Sequence, residues 1–557
     1  MSRKKNEKKI APERYPDPSG FKIPYLALSL SAIILLVYSS SFTLGFTDLD
    51  DIIFINEQAP FNADIANLGH SFSRGVFHAT EDTYYRPLLL NSFVLNAQIS
   101  GTNIRGYHAV NILLHLIVVL MLLRLLILLQ IPRRNAFLLC FLYAVHPVFV
   151  QAVSWVPGRN DTLLGIFTIA FFMSTVKYLQ THAPLRLAGA GVWLLAALFT
   201  KESALFVPAA AWILLLSMQR LRVFSKVSYY LYAVWIACAL IWFAVRSSAG
   251  LANEGFSLTA MGANLIERTP VLVQYLGKAV LPFNQSVFPM MHDTGYLLGI
   301  LALVIMAVLI TFSDPPSRKI WIGGLGWFVI LMLPVVMLPG TLNEQDFEHR
   351  LYVPFMGILI ALAFSVALKG GQPVVTGAWV LVCIIFAALN IRHQQKFSDP
   401  VTFWEAAVQG TPHSGYATMM LAARLDDTDK PRADALMRQA YRLDPDEKYI
   451  NFYMGKYYLD MNKPDSASLC LHRELELSAY YETYFQLSRL EFMLKDYAQS
   501  RSWMEKYLEL NPKDAQAANN YILLLLQLND KAAAKAFVEK KQREGMVFPG
   551  QLVDQLK

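Results

Sequence analysis

Tyr25-Leu-Ala-Leu-Ser-Leu-Ser-Ala-Ile-Ile-Leu-Leu-Val-Tyr-Ser-Ser-Ser-Phe-Thr-Leu44 carries no charge, and Phe46-Thr-Asp-Leu-Asp-Asp-Ile-Ile-Phe-Ile-Asn56 follows with Asp48, Asp50 and Asp51. An uncharged apolar run of this length can cross the hydrocarbon of a bilayer. Carboxylates are costly inside it, so acids crowded at its end mark an exit from the membrane and a candidate site. Adjacent Asp50 and Asp51 repel, which favours a raised pKa for one of them. Such a group suits a base that takes a proton from a hydroxyl or amide. The plain alternative is a solvated loop end. Asn replacements at both positions keep size and hydrogen-bonding capacity, so folding is expected to survive them.

Similar apolar runs recur near 107–130, 135–154, 161–180, 186–200, 203–219, 226–246, 293–313, 319–338, 351–368 and 374–391, making about eleven spans with the first at 24–45. The chain of 557 residues is 55% hydrophobic and 16% charged, well below the charge content of a soluble protein. Its mean hydropathy is +0.35. The first run lacks a convincing cleavage site and reads as an anchor. Glu267, Arg268 and Lys278 suggest that 264–283 lies on the membrane rather than through it.

Charge sets the orientation. Arg3, Lys4, Lys5, Lys8 and Lys9 precede the first span, and with that end inside, Arg124–Arg134, Lys177–Arg186, Arg220–Lys226, Arg318–Lys319 and Lys369 also fall inside. The opposite loop from Asp48 to Tyr85 holds seven acids and one base, Arg74. The expected organisation is a cytoplasmic basic N-terminus (1–23), a transmembrane domain (24–392) with a large extracytoplasmic loop (46–106), and an extracytoplasmic domain (393–557). The net charge of +7 sits at span ends, with no basic stripe interleaved with aromatics, which excludes nucleic-acid binding. Cys140, Cys238, Cys383 and Cys470 form no CxxC pair and no disulfide framework.

The tail repeats itself. Leu443-Asp-Pro-Asp446 and Leu510-Asn-Pro-Lys513 each close an amphipathic helix, and Pro445 and Pro512 stand 67 residues apart, twice the tetratricopeptide (TPR) period. The position between them, near Ala479, has lost its proline. Small residues recur where paired helices approach: Ala422, Gly455 with Ala467, and Ser488 with Ser500. The fold class is therefore all-α, a polytopic helical membrane domain followed by an α-solenoid of TPR repeats, three with a degenerate fourth at about 515–546.

Polar residues of the membrane half gather toward one side. His108 and His115 share a helical face, His146 precedes Pro147, and Arg159-Asn-Asp161, Lys201-Glu202 and Glu348-His-Arg350 with Tyr352 occupy outer ends. Each has a plainer reading: helix–helix hydrogen bonds for the histidines, a capping ion pair for Lys201-Glu202, headgroup anchoring for Arg159 and Arg350. A divalent metal on His108, His115, His146 and an Asp stays open, although no compact ligand motif supports it. Together, two acids and three strong cations fit transfer from a lipid-linked phosphate donor. Arg and Lys stabilise the charge left on phosphate, and a carboxylate takes the acceptor's proton. One base and a departing phosphate suffice for inversion at the sugar carbon.

These motifs resemble the transmembrane-and-TPR-containing protein O-mannosyltransferases (TMTC) of the GT-C glycosyltransferases. The resemblance rests on Leu49-Asp-Asp51 with Asn56, Tyr85-Arg-Pro-Leu88, Tyr107-His-Ala-Val-Asn-Ile-Leu-Leu-His115, Val145-His-Pro-Val148 leading to Gly158-Arg159, Thr200-Lys-Glu-Ser203, His349-Arg-Leu-Tyr-Val-Pro354 and the repeat tail. It implies a polyprenyl-phosphate sugar donor and a protein Ser/Thr hydroxyl acceptor, with Asp50 and Asp51 matching the family's acidic pair. Arg159, Lys201 and Arg350 are the expected donor-phosphate ligands. Arg86, His108, His115, His146, Glu202 and Tyr352 are the expected substrate-binding residues. The tail, short beside animal members, would present the acceptor or recruit a partner, and the expected location is a bacterial inner membrane. A lipid or surface-glycan glycosyltransferase and a non-catalytic TPR scaffold for envelope assembly are the rivals. A transporter needs interrupted polar helices, whereas the mid-membrane segments stay apolar.

Overall fold

The computed structural model describes residues 22–77, 83–251, 257–337, 345–368, 372–478 and 480–555. The basic cluster before the first span, Lys369 and Ala479 lie outside the described residues. Two compact units divide between Thr411 and Pro412, so residues 393–411 belong with the first.

Unit one holds α1 (Ile23–Val37), α2 (Pro87–Ser100), α3 (Ile104–Leu128), α4 (Arg133–Val145), α5 (Arg159–Thr181), α6 (Pro184–Leu198), α7 (Val207–Ser217) and α8 (Lys226–Ser248). After these come α9 (Leu258–Arg268), α10 (Val271–Val280), α11 (Leu297–Thr311), α12 (Pro315–Met337), α13 (Phe355–Ala363), α14 (Pro373–Gln394) and α15 (Pro400–Gly410). Local signals set several starts: Asn103 caps α3 by accepting from the Arg105 N–H, and Ser225 caps α8 by accepting from the Ser228 N–H. Pro147 removes a helical N–H and pushes His146 to an extended conformation, so α4 stops and the chain bends by 50° before continuing.

Each of the eleven expected runs contains a helix, but the described residues include five helices long and apolar enough to cross a membrane, or six counting the bent pair. The chain is a multi-pass membrane protein whose remaining apolar helices are shorter. Hydropathy registers a run of apolar residues; it does not register where a 3₁₀ turn or a proline ends the regular helix inside it. Small residues let the shorter elements pack closely: a Cβ on Gly324 of α12 or Gly357 of α13 would run into the other's carbonyl oxygen.

The expected membrane-surface helix at 264–283 is instead two helices meeting at Pro270, and their charges turn inward. Arg268 pairs with Asp346 at 2.7 Å and Lys278 with Glu348 at 2.6 Å, all four buried. The described residues of loop 46–106 build their own apolar centre, in which Phe93 of α2 stacks on Phe54 on one side and on Tyr107 of α3 on the other. Helix α2 buries Leu89, Leu90 and Phe93 and exposes Leu95 and Ile99.

Unit two is four helix pairs: Gly415–Leu425 with Lys430–Leu443, Ile450–Asp460 with Pro464–Leu477, Glu482–Met493 with Tyr497–Leu510, and Ala515–Gln527 with Lys531–Arg543. Asp429, Asp496 and Asp530 cap second helices of pairs at the repeat spacing, each accepting a backbone N–H. The small residues act as expected. A Cβ on Gly455 would overlap Leu471, and Ser488 and Ser500 exchange hydroxyl-to-carbonyl hydrogen bonds at 2.9 and 2.8 Å.

Candidate active site

Asp48 adopts a left-handed conformation, φ 55°, which Asp tolerates better than most residues, in the turn that leads into Asp50 and Asp51. Asp51 faces inward. It accepts from the Thr47 N–H at 2.6 Å, the Thr47 hydroxyl at 2.9 Å and the Ile52 N–H at 3.0 Å. Burial raises its pKa to about 6 against the opposing pull of those bonds. Asp50 is half-buried, and its carboxylate accepts no hydrogen bond among the described residues. Its crowded surroundings first, and Asp51 second, push its pKa up to about 7, while Arg86 pulls it down. The two acids are therefore unequal: Asp51 ties the loop, and Asp50 is the one open to a proton.

Beside Asp50 lies a run of ion pairs from four separate elements. Arg86, preceding α2, contacts Glu202 through Nη2 at 3.0 Å and Nε at 3.0 Å, while the Tyr85 N–H donates to the same carboxylate at 3.0 Å. Lys201 donates to both oxygens of Asp161 at 2.8 Å. Burial lowers the Lys201 pKa and Asp161 counters it. Asp161 lies within electrostatic reach of Arg86 and Arg350 as well. His349 Nε2 stands 3.8 Å from Asp161 Oδ2. The His349 backbone N–H and its ring Nδ1 both reach Gln151 Oε1, at 3.2 and 3.1 Å, so Nδ1 carries the ring proton and Nε2 faces the cluster bare. Burial, then Lys201, Arg350 and Arg86, hold His349 well below its usual pKa and neutral.

Arg350 differs from its neighbours. It makes no ion pair within 4 Å among the described residues, and its Nη1 is buried without a hydrogen-bond partner. A planar cation with an unspent nitrogen beside two neutralised cations is a place for an anion.

The structure thus brings Asp50, Arg86, Glu202, Lys201 and Arg350 together, with Asp51 behind them. It does not bring Arg159 there. Arg159 is fully buried under Phe93 and Tyr107 and donates to Asn111 Oδ1, Asn96 Oδ1, the Ser92 carbonyl and the Tyr107 carbonyl. Its guanidinium is spent on α2 and α3, which ties these helices to α5 away from the cluster. His115 donates from Nε2 to the Ala144 carbonyl at 3.1 Å and accepts from the Tyr352 hydroxyl at 2.7 Å, and the Tyr143 hydroxyl donates to the Tyr352 carbonyl at 2.7 Å. His146 donates from Nε2 to the Ala279 carbonyl at 3.1 Å and accepts from the Val148 N–H. The polar atoms of His115, His146 and Tyr352 are thus used within the bundle, and the structure does not bring these residues to the cluster. His108 sits buried near the Leu44 and Gly45 backbone, with neither ring nitrogen in a hydrogen bond of good geometry among the described residues. These histidines do not converge, and the described residues contain no group of three or more His, Cys, Asp or Glu placed to hold a metal.

Asp161 and His349 are the site residues that motif reading left unassigned. Asp161 had a signal, an acid two positions after Arg159 at the head of an apolar helix. His349 opened one of the quoted motifs, His349–Pro354, but was given no role of its own.

Fold and site define an all-α, multi-pass membrane protein with a TPR tail and an acid–cation cluster at the ends of its helices. The chain matches no family model. Mouse protein O-mannosyl-transferase TMTC1 is 36% identical over 110 residues, 20% of this chain and 12% of that protein. Caenorhabditis elegans protein O-mannosyl-transferase F38B6.6 is 23% identical over 394 residues, 67% of this chain and 56% of that protein. These relatives agree with the resemblance read from the motifs, and the chain aligns to between about an eighth and a little over half of their length. An oligosaccharyltransferase structure from Archaeoglobus fulgidus, tethered with an acceptor peptide, covers 71% of this chain and 59% of its own at 14% identity, with a TM-score of 0.39.

Proposed function

We propose that the protein is an inverting, GT-C-type glycosyltransferase that moves a sugar from a polyprenyl phosphate to a protein Ser/Thr hydroxyl on the outer side of a bacterial cell membrane. The observation that carries this reading is the pairing of a carboxylate with a pKa near 7, Asp50, and an anion-seeking cation, Arg350, across a shared cluster. The acceptor hydroxyl attacks the anomeric carbon while the carbon–oxygen bond to phosphate breaks on the opposite face. Asp50 takes the hydroxyl proton. The phosphate oxygen leaves with the bond's electrons, and Arg350 and Lys201 stabilise it in a poorly hydrated site. Arg86 and Glu202 hold the edge nearest Asp50. A cavity of about 280 Å³ lined by Leu142, Ala279, Met306, Trp321, Phe355 and Phe386 supports a prenyl-tail reading, because Phe355 follows Arg350 by little more than one helical turn. The TPR unit would select or present the acceptor. Transfer from polyprenyl-phosphate sugars to peptides by purified protein, with glycan profiling of cells lacking it, tests the reading. Transfer to lipid or glycan alone would move the acceptor class, and no transfer with an unchanged glycan profile would favour a scaffold.

A further inference from the structure

The segment Asp346–Arg350 is fixed residue by residue from different parts of unit one. Asp346 accepts from Arg268 Nη2 at 2.7 Å, and its N–H donates to the Pro289 carbonyl at 2.7 Å. The Phe347 carbonyl accepts from the Tyr275 hydroxyl at 3.1 Å. Glu348 accepts from Lys278 at 2.6 Å and from the Ser286 N–H at 2.9 Å. His349 is held at two points by Gln151, which itself donates to the Val287 carbonyl at 3.1 Å. Four consecutive residues are tied, and the fifth, Arg350, is left with its unpartnered nitrogen.

The ties are expensive for a merely structural turn. Lys278 and Glu348 are both essentially inaccessible to water, and burying an ion pair seldom stabilises more than apolar packing of the same volume. In some proteins such pairs fix one geometry among several. A short 3₁₀ turn, Glu348–Leu351, has few backbone bonds of its own with which to aim a long side chain.

We infer that Arg268, Lys278 and Gln151 are positioning residues that aim Arg350 at the departing phosphate. This deepens the proposed function and rests on Arg350 as its phosphate cation. The charges at 268 and 278 would then serve the site from a helix pair whose sequence alone suggests a membrane surface. Arg268 contributes one nitrogen, with its Nε unpartnered, so a lysine can replace it.

The test measures undecaprenyl phosphate binding by the full-length protein in lipid nanodiscs, together with steady-state kinetics and melting temperature. Arg268→Met and Lys278→Met are expected to weaken binding at least tenfold and to raise the donor KM while leaving the acceptor KM within twofold. Arg268→Lys is expected to restore wild-type values, which a loss of general packing would not predict. Each Met variant strands a buried carboxylate, so each is paired with its neutralised partner, Arg268→Met with Asp346→Asn and Lys278→Met with Glu348→Gln, and the set at 268, which includes the lysine, decides. A folded Arg268→Met protein that binds within twofold of wild type, while Arg350→Ala binds at least tenfold more weakly, overturns the inference and leaves the proposed function standing. Normal binding by Arg350→Ala removes Arg350 as the phosphate cation and overturns both.

Discussion

Replacing Asp50 by Asn separates chemistry from folding. The side chain makes no hydrogen bond among the described residues that the amide would break, and a positioned base is typically worth about a hundredfold to ten-thousandfold in rate. A pKa near 7 adds a pH signature. Ionised Asp50 falls to about a tenth at pH 6 and about a hundredth at pH 5, so wild-type activity should drop nearly tenfold per unit on the acid side of 7. Stability runs the other way. The folded-state pKa is raised from 3.8, so protonated Asp50 favours the folded state; that contribution is fully present below about pH 4 and is lost as pH rises through about 7. Asp50→Asn should therefore melt no lower than wild type at pH 8 while transferring sugar at least a hundredfold more slowly. Initial rates of sugar transfer from pH 5 to 9, with melting curves at each pH, provide the measurement. Wild-type rates in a folded Asp50→Asn protein, or an acid limb centred near pH 4, would refute Asp50 as the base.

Asp51→Asn should behave differently: an amide nitrogen set against the Thr47 N–H cannot accept, so about 1–3 kcal/mol of stability is lost and melting falls before any rate effect is separable. Lys201→Met leaves Asp161 buried and unpaired and should cost about 3–5 kcal/mol, so its activity has to be read against its melting temperature. Arg159→Met takes the donor from the side-chain oxygens of Asn96 and Asn111 and should destabilise the protein, with any folded fraction retaining normal undecaprenyl phosphate affinity. Gly357→Ala should lower the melting temperature by the equivalent of about 1–3 kcal/mol, because the new methyl meets backbone and the Trp327 ring.

Much of the architecture was legible because it follows from one-dimensional patterns. Apolar runs located the helices, and the spacing of Pro445 and Pro512 located the paired helices of the tail. Where the regular helix stops within a run depends on local turns such as His146-Pro147, and there hydropathy overstated helix length. The site was partly legible. Asp50, Lys201, Glu202 and Arg350 stood out as charges at apolar boundaries and Arg86 entered through the resemblance, and the structure gathers them. Arg159 stood out equally, yet its partners Asn96, Asn111 and Tyr107 lie about 50 to 60 residues away and nothing local announces them. The inward pairing of Arg268 and Lys278 was hidden for the same reason, since their carboxylates lie 78 and 70 residues further along the chain. His115 and His146 could not be distinguished from ligands by spacing, because a histidine with both nitrogens satisfied looks the same in sequence as one with a nitrogen free.

The short helix α13 has a bearing on how the protein is made. Nine residues of helix reach about 14 Å, under half the thickness of a bilayer's hydrocarbon, so α13 offers little as an independent insertion signal. Its Gly357 meets Gly324 backbone to backbone, which gives it a docking groove on α12, a helix long enough to enter by itself. Membrane integration of α13 would then depend on α12 having already arrived. Nascent chains truncated after Ala363 should hold α13 in the bilayer when α12 carries glycine at 324 and expose it to the aqueous side when leucine stands there.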